Sequence, residues 1–140
     1  MEYIDRLLEI RIQEWLFKGK IITIFGPRQV GKTTLVKKLL EKHDHQEHYY
    51  NCDIPSVARY FEEPEPVLLK RLLGKTTLAV IDEAQNVKNM GKTLKVIHDS
   101  MPEIQVIATG SSSFSLGNSL NEPLTGRGVE FILYPFSLKE

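Results

Sequence analysis

Apolar residues along this chain change their spacing several times, and each change marks a new predicted element. Steps of three and four residues predict an amphipathic helix over residues 4–16, which Gly19 ends. Short apolar runs rich in β-branched residues predict five strands, at 21–25, 48–52, 77–82, 104–109 and 129–134. Helical spacing between them predicts helices at 33–42, in two short pieces within 55–73, at 91–101 and at 116–120. Alternating strands and helices predict an α/β fold with a mostly parallel sheet, in which 48–52 lies nearer the edge.

The composition is that of an ordinary globular domain. The chain has 140 residues, of which 41% are hydrophobic and 26% are charged, and this size suits one domain with its own core. Because 18 Lys and Arg residues balance 18 Asp and Glu residues, the charge does not indicate nucleic-acid binding. The chain has neither an apolar run of ~20 residues, which a membrane span needs, nor a signal-peptide pattern. We therefore expect no membrane association and a cytoplasmic location.

The residues after the first predicted strand match a phosphate-binding pattern at every specified position. The segment GPRQVGKT at 26–33 is the G-x-x-x-x-G-K-[ST] loop, placed between a strand and a helix as that loop requires. Glycines let backbone N–H groups turn inward toward a diphosphate, Lys32 brings positive charge to the β- and γ-phosphates, and the Thr33 hydroxyl ligates Mg²⁺. The residues predicted to bind ATP with Mg²⁺ are Gly26, Pro27, Arg28, Gln29, Val30, Gly31, Lys32, Thr33 and Thr34.

Two adjacent carboxylates end the third predicted strand. Asp82 suits the Walker-B role, in which an aspartate helps to hold Mg²⁺, here through a coordinated water. Glu83 is the candidate base that orients or deprotonates the water attacking the γ-phosphate. The alternative is that both acids simply face solvent, and the phosphate loop upstream favours the catalytic interpretation.

Two further polar features follow later in the chain. Thr109-Gly-Ser111 closes the fourth predicted strand, where a parallel sheet presents groups to a ligand. One of these hydroxyls is predicted to sense the γ-phosphate or hold the water, the alternative being a serine-rich capped turn. Arg127 precedes the fifth predicted strand and is a candidate for stabilising transition-state charge, the alternative being a plain surface arginine.

Other polar features are expected to serve structure. The histidines between residues 43 and 48 fall in a polar segment, where a solvated loop is favoured over a metal site. The single Cys52 excludes an internal disulfide and is expected to be a small buried apolar residue. Gly91-Lys92-Thr93 resembles the end of a phosphate loop, but Asn86 stands where the first glycine would have to be.

Five motifs follow one another along the chain. They are GPRQVGKTT at 26–34, LAVIDEAQ at 78–85, IATGSSS at 107–113, LTGR at 124–127 and LYPFSLKE at 133–140. In this order and spacing they resemble the AAA-type ATPase domain of predicted prokaryotic ATPases that usually carry a second, poorly characterised C-terminal domain. The resemblance implies a P-loop three-layer α/β/α sandwich whose five-stranded parallel sheet has the order 5-1-4-3-2. It also implies ATP hydrolysis, with Lys32 and Thr33 on phosphate and metal, Asp82 on metal and Glu83 as base.

The resemblance further concerns the sensor, the arginine and the end of the chain. It assigns the sensor position to Thr109 or Ser111, and it makes Arg127 an arginine finger that acts across a subunit interface in a homo-oligomer. Relatives continue into a helical lid and a second domain, and the SLKE segment at 137–140 has the form of a capping box that opens a helix. We therefore expect residues 1–140 to be one P-loop ATPase domain of a longer protein, with the C-terminal domain as its partner.

These features predict a Mg²⁺-dependent ATPase domain that binds ATP and ADP and couples hydrolysis to a conformational change in a larger protein. One alternative is a nucleotide-gated binding module with negligible hydrolysis, against which the intact Asp82-Glu83 pair argues. Another is a small-molecule or nucleoside kinase. Such kinases usually have an arginine-rich acceptor pocket, whereas residues 54–76 hold only Arg59 and Arg71.

Overall fold

The computed structural model describes residues 2–27, 31–42, 47–111 and 126–133, with side chains from residue 7 onward apart from that of residue 47. The strands are β1 (Ile21–Phe25), β2 (Glu47–Asn51), β3 (Leu78–Asp82), β4 (Gln105–Gly110) and β5 (Gly128–Ile132). The helices are α1 (Glu2–Trp15), α2 (Lys32–Glu41), α3 (Pro55–Arg59), α4 (Pro66–Leu73) and α5 (Met90–Ser100), and a 3₁₀ turn covers Ala84–Asn86. The five predicted strands are confirmed within two residues at each end. The short helix predicted at 116–120 lies outside the described residues.

All five strands run parallel in one sheet with the order β2-β3-β4-β1-β5. Read from the opposite side, this is the predicted order 5-1-4-3-2, and the predicted edge position of β2 is also confirmed. We call the side of the sheet where the strands finish its carboxyl end, and the side where they start its amino end. Ligands of parallel α/β sheets bind beyond the carboxyl end, so the predicted phosphate loop after β1 lies on the expected side.

Helices cover both faces of the sheet, and the three central strands are therefore buried along their whole length. One face packs against α1 and α2 through a cluster that contains Ile12, Leu35, Val36, Leu39, Ile22, Ile24, Val80 and Ile107. The other face packs against α3, α4 and α5 through a cluster that contains Phe61, Leu69, Leu94, Ile97, Phe25, Ile81, Val106 and Ala108. Cys52 is buried in this second cluster, as expected. The packing on both faces positions the strand ends at which the site is built.

The first helix buries a narrower stripe than the sequence predicts. Ile12 and Leu16 are buried, whereas Leu7 and Trp15 are about two-fifths exposed. A buried carboxylate on the same helix, that of Glu9, pairs with Lys42 at 2.6 Å and joins α1 to the end of α2. In the described part of the chain, no helix has the length and apolar character of a membrane span.

Candidate functional site

The loop between β1 and α2 forms the first part of the site. The N–H of Gly26 donates to the Gly110 carbonyl at 3.1 Å, which holds the start of the loop beside the end of β4. Gly31 ends the loop with φ of 89°, a left-handed conformation that glycine adopts without steric cost. Its carbonyl accepts the Leu35 N–H at 2.9 Å, so the first turn of α2 is formed from this residue. The predicted loop positions outside the described residues are Arg28, Gln29 and Val30.

Lys32 places a buried cation at the start of α2. Its side chain is 1% exposed, and Nζ donates to the carbonyls of Gly26 at 2.7 Å and Pro27 at 3.0 Å. Burial of an ammonium group is costly unless hydrogen bonds or negative charge compensate it. The helix beginning at Lys32 adds the positive end of its dipole, so this corner of the sheet is suited to an anionic phosphate. Thr34, also predicted to bind, is exposed on α2.

Asp82, the last residue of β3, is the centre of a network of hydroxyl groups. Its side chain is 2% exposed. Oδ2 accepts the Thr33 hydroxyl at 2.9 Å and also the Tyr49 hydroxyl, while Oδ1 accepts the Thr109 hydroxyl. These hydrogen bonds replace water around a buried carboxylate. They also bring together Thr33 and Asp82, the two residues predicted to hold the metal.

The oxygen donors of this corner fit the chemistry of Mg²⁺. Mg²⁺ prefers hard oxygen ligands and usually takes only one or two from the protein, with waters and phosphate oxygens completing its shell. The Thr33 hydroxyl and the Asp82 carboxylate, 2.9 Å apart, supply such a pair. Within the described ranges no three His, Cys, Asp or Glu residues are grouped to hold a metal. His48 instead hydrogen-bonds the Thr76 hydroxyl, and His43 and His45 lie outside the described residues.

Glu83 follows Asp82 with an unusual backbone conformation. Its φ of 56° and ψ of 50° are left-handed, which costs a non-glycine residue about 1–2 kcal/mol. The N–H of Glu83 donates to the Thr109 hydroxyl at 3.0 Å. Its buried carboxylate accepts two hydrogen bonds at Oε1, from the Ser111 hydroxyl and from the Gln85 amide at 2.8 Å. Strained residues of this kind cluster at functional sites.

The five central residues of the prediction thus come together at the carboxyl end of the sheet. Lys32 and Thr33 open α2, Asp82 and Glu83 end β3, and Ser111 follows β4. The two candidate sensors occupy different places. Thr109 contacts Asp82 and the Glu83 backbone, whereas Ser111 contacts the Glu83 carboxylate.

Comparison with known proteins places the chain in a family. A family model described as an AAA domain matches residues 18–140. This chain belongs to the AAA domain family. Two curated relatives, the uncharacterized proteins Mb2031c of Mycobacterium bovis and Rv2008c of Mycobacterium tuberculosis, are each 32% identical to it over 124 residues. The match covers 87% of this chain and 26% of each relative, so the chain spans about a quarter of the length of the curated relatives it matches.

Solved structures show the same fold at low sequence identity. The Walker-type ATPase PABY2304 of Pyrococcus abyssi matches with a TM-score of 0.62 and 19% identity, over 94% of this chain and 53% of that one. The Thermotoga maritima RuvB Holliday junction branch migration motor matches with a TM-score of 0.60 and 19% identity, over 96% of this chain and 44% of that one. AMPPCP-bound DnaA from Aquifex aeolicus matches with a TM-score of 0.59 and 13% identity, over 94% of this chain and 44% of that one. The predicted P-loop α/β fold is confirmed.

Among the predicted site residues that the structure describes, Arg127 lies apart from the group at the carboxyl end. It lies directly before β5, and its carbonyl accepts the Ile21 N–H at 2.8 Å at the start of β1. In an all-parallel sheet a residue that precedes a strand lies at the amino end, so about 13 Å of strand separates Arg127 from the phosphate loop of its own chain. Its guanidinium Nε pairs with Asp99 Oδ1 at 3.1 Å. Hydrogen bonds from Arg127 and then His98 lower the pKa of Asp99.

Two residues without a role predicted from the sequence contact the carboxylates of this AAA domain. Tyr49 on β2 reaches Asp82, and Gln85 reaches Glu83. Burial, and then the hydrogen bond to Asp82, raise the pKa of Tyr49 above its ordinary value. Strand alternation contains a signal for Tyr49, because it pairs with Val80, which lies on the same face of β3 as Asp82. The contact of Gln85 depends on the 3₁₀ turn, which no periodicity indicates.

Proposed function

We propose that this AAA domain binds ATP with Mg²⁺ at the carboxyl end of its sheet and hydrolyses the terminal phosphate. The observation that carries the proposal is the 2.9 Å contact between the Thr33 hydroxyl and Asp82 Oδ2. It joins the phosphate loop to the end of β3. Lys32 directly precedes Thr33 in the chain, and Glu83 directly follows Asp82.

Lys32 and the start of α2 bind the phosphates in this proposal. The ammonium group is already withdrawn from water, so its attraction for a phosphate is screened less than that of a surface lysine. Its two carbonyl partners, on Gly26 and Pro27, hold it against the loop. The backbone N–H groups at the start of the helix add further donors for phosphate oxygens.

Thr33 and Asp82 would hold Mg²⁺, and the residues around Asp82 fix its carboxylate. When bound, Mg²⁺ neutralises the charge that develops on the phosphate oxygens. Thr109 donates to one oxygen of Asp82 and Tyr49 to the other. These two contacts keep the carboxylate plane in one orientation.

Glu83 is the base in this mechanism. Its carboxylate accepts the proton of a water whose oxygen attacks the γ-phosphorus, while the bond from that phosphorus to the β–γ bridging oxygen breaks. The products are ADP and inorganic phosphate. A positioned base of this kind contributes about 10²- to 10⁴-fold to a rate.

The domain works, in our proposal, as one part of a longer protein and couples hydrolysis to a conformational change there. The support is the length of the curated relatives, of which this chain covers 26%. A second support is the path of contacts from Glu83 through Ser111 to β4. In this proposal, the path would connect the terminal phosphate of bound ATP to the sheet through Glu83 and Ser111.

Binding is tested with a fluorescent ATP analogue and matched lysine variants. Lys32→Ala removes the buried cation, and we expect affinity to fall about 10- to 100-fold, the value of a hydrogen bond to a charged group. Lys38→Ala removes an exposed lysine of the same helix and should leave affinity unchanged. Equal affinity in both variants and the original protein would contradict the phosphate site.

Hydrolysis is tested separately with Glu83→Gln. We expect this variant to bind ATP as well as the original protein does and to release phosphate about 10²- to 10⁴-fold more slowly. A protein that binds ATP but releases no phosphate even with Glu83 intact would instead support the nucleotide-gated binding module.

A further inference from the structure

Gln85 lies in the 3₁₀ turn after β3, and both ends of its side-chain amide are in use. Nε2 donates to Glu83 Oε1 at 2.8 Å, and Oε1 accepts the backbone N–H of Ser111 at 3.3 Å. The Ser111 hydroxyl donates to the same Glu83 oxygen. Glu83, Gln85 and Ser111 therefore form a closed ring of three hydrogen bonds.

The ring requires the chemistry of an amide at position 85. One end of the side chain has to donate to a carboxylate, and the other has to accept from a backbone N–H. Glutamate has nearly the same shape but would place a second carboxylate against Glu83. Alanine would remove both contacts. The ring therefore depends on a glutamine side chain in one orientation.

Glu83 depends on this ring because its own backbone does not continue the strand. The residue is left-handed, so the regular geometry of β3 does not fix the direction of its side chain. Two donors that meet on Oε1 restrict rotation of the carboxylate about its last bond. The ring also ties the end of β3 to the residue that follows β4.

We propose that Gln85 is a positioning residue for hydrolysis, which together with Ser111 fixes the orientation of the Glu83 carboxylate toward the attacking water. This inference rests on the proposed function. Gln85 itself does not touch the reacting atoms in this proposal. It acts through Glu83, so its removal lowers the rate of the chemical step and leaves nucleotide binding unchanged.

The next residue of the same turn provides a matched control. The side-chain amide of Asn86 donates to the Cys52 carbonyl at 3.1 Å and to Asp53 Oδ1 at 3.0 Å. It joins the turn to the end of β2. Loss of this amide disturbs the turn without removing a hydrogen bond to the proposed base.

The experiment compares Gln85→Ala, Gln85→Glu and Asn86→Ala in the full chain, with ATP affinity, kcat and thermal unfolding measured for each. We expect kcat of both Gln85 variants to fall about 10- to 100-fold, as it does when a catalytic group is misplaced. Their ATP affinity should stay within about twofold of that of the original protein. Asn86→Ala should keep its kcat. An unchanged kcat in Gln85→Ala, or an equal loss in Asn86→Ala, would overturn the assignment.

A second arm introduces Gln85→Ala together with Glu83→Gln. If Gln85 acts only through Glu83, the double variant is no slower than Glu83→Gln alone. A further loss of the same size as in the single variant would show that Gln85 acts elsewhere and would overturn the proposal. If the original protein itself releases no phosphate, the proposed function fails, and this inference fails with it. If the original protein releases phosphate and Gln85→Ala does so equally fast, only this inference fails.

Discussion

Charged side chains are buried at one end of the sheet and exposed at the other. At the carboxyl end Lys32, Asp82 and Glu83 are 1%, 2% and 6% exposed, and hydroxyl, amide and carbonyl groups surround them. At the amino end Arg127 and Asp99 form an ion pair whose side chains are 28% and 46% exposed. The first arrangement is buried and hydrogen-bonded by neutral groups, and the second is a solvated pair of opposite charges.

The difference favours the carboxyl end as the functional end. Burial of a charge costs several kcal/mol even after the protein relaxes, whereas an exposed ion pair costs little and stabilises little. A domain that places three charges in its interior at one end of the sheet carries a cost that folding alone does not require. We infer that binding and catalysis explain the buried charges at the carboxyl end. Within one chain, the charges at the amino end form an ordinary surface ion pair.

The largest contrast is expected between the aspartates of the two ends. Asp82→Ala should lower kcat by about 10²- to 10³-fold, because a bound metal contributes several kcal/mol of charge stabilisation, and it should shift the Mg²⁺ dependence to higher concentration. Asp99→Ala should change neither. Phosphate release measured over a series of Mg²⁺ concentrations checks both, and similar losses in the two variants would remove the distinction between the ends.

A smaller contrast is expected within the carboxyl end, between the candidate sensors. Thr109→Val leaves Asp82 and the Glu83 N–H without a partner that they now have, so the free energy of unfolding should fall by about 2 kcal/mol. Ser111→Ala should cost less than about 1 kcal/mol of stability but lower kcat about 10-fold. Chemical unfolding and phosphate release are measured on both variants. The reverse pattern would assign the sensor role to Thr109.

Tyr49→Phe tests the support of Asp82 from the neighbouring strand. Loss of the hydroxyl that donates to Oδ2 should lower the free energy of unfolding by about 1–2 kcal/mol, as for a hydrogen bond to a charged group. Tyr60→Phe alters an exposed tyrosine and serves as the control. Chemical unfolding should separate the two variants, and an equal stability would show that the Asp82 contact contributes nothing to folding.

The smallest effect is expected for Arg127→Ala at the amino end. Because the pKa of Asp99 is lowered, the pair contributes stability above the ordinary carboxyl value and loses it as the pH falls through the lower folded value. We expect no resolvable change in the unfolding midpoint at neutral pH, and any difference should shrink below about pH 4 and vanish below the lowered pKa of Asp99. A role as an arginine finger would appear as lost hydrolysis only at protein concentrations where the chain self-associates.

The sequence is most informative where apolar periodicity and motif spacing agree. β1, β3 and β4 are fully buried, so continuous apolar runs in the sequence are enough to locate them. The loop after β1 is located by its glycines and its lysine. The place of Arg127 also follows from the sequence once the strands are known to be parallel, since it precedes β5. Within one chain it lies away from the phosphate loop, and its role across a subunit interface stays a prediction.

Hydrogen-bond partners were much harder to predict. The contact of Tyr49 with Asp82 requires the register of β2 against β3, and that of Gln85 with Glu83 requires a left-handed residue and a 3₁₀ turn. Neither has a sequence period, because both depend on how one side chain meets another across separate elements. The roles of the residues at the carboxyl end stay predictions until they are tested.

The most direct test of the account is the rate of phosphate release by the full-length protein and its Glu83→Gln variant, at saturating Mg²⁺-ATP and with ATP occupancy measured in both. We predict equal occupancy and a rate about 10²- to 10⁴-fold lower in the variant. Equal rates at equal occupancy would contradict the claim that the buried charges at the carboxyl end form a hydrolysis site.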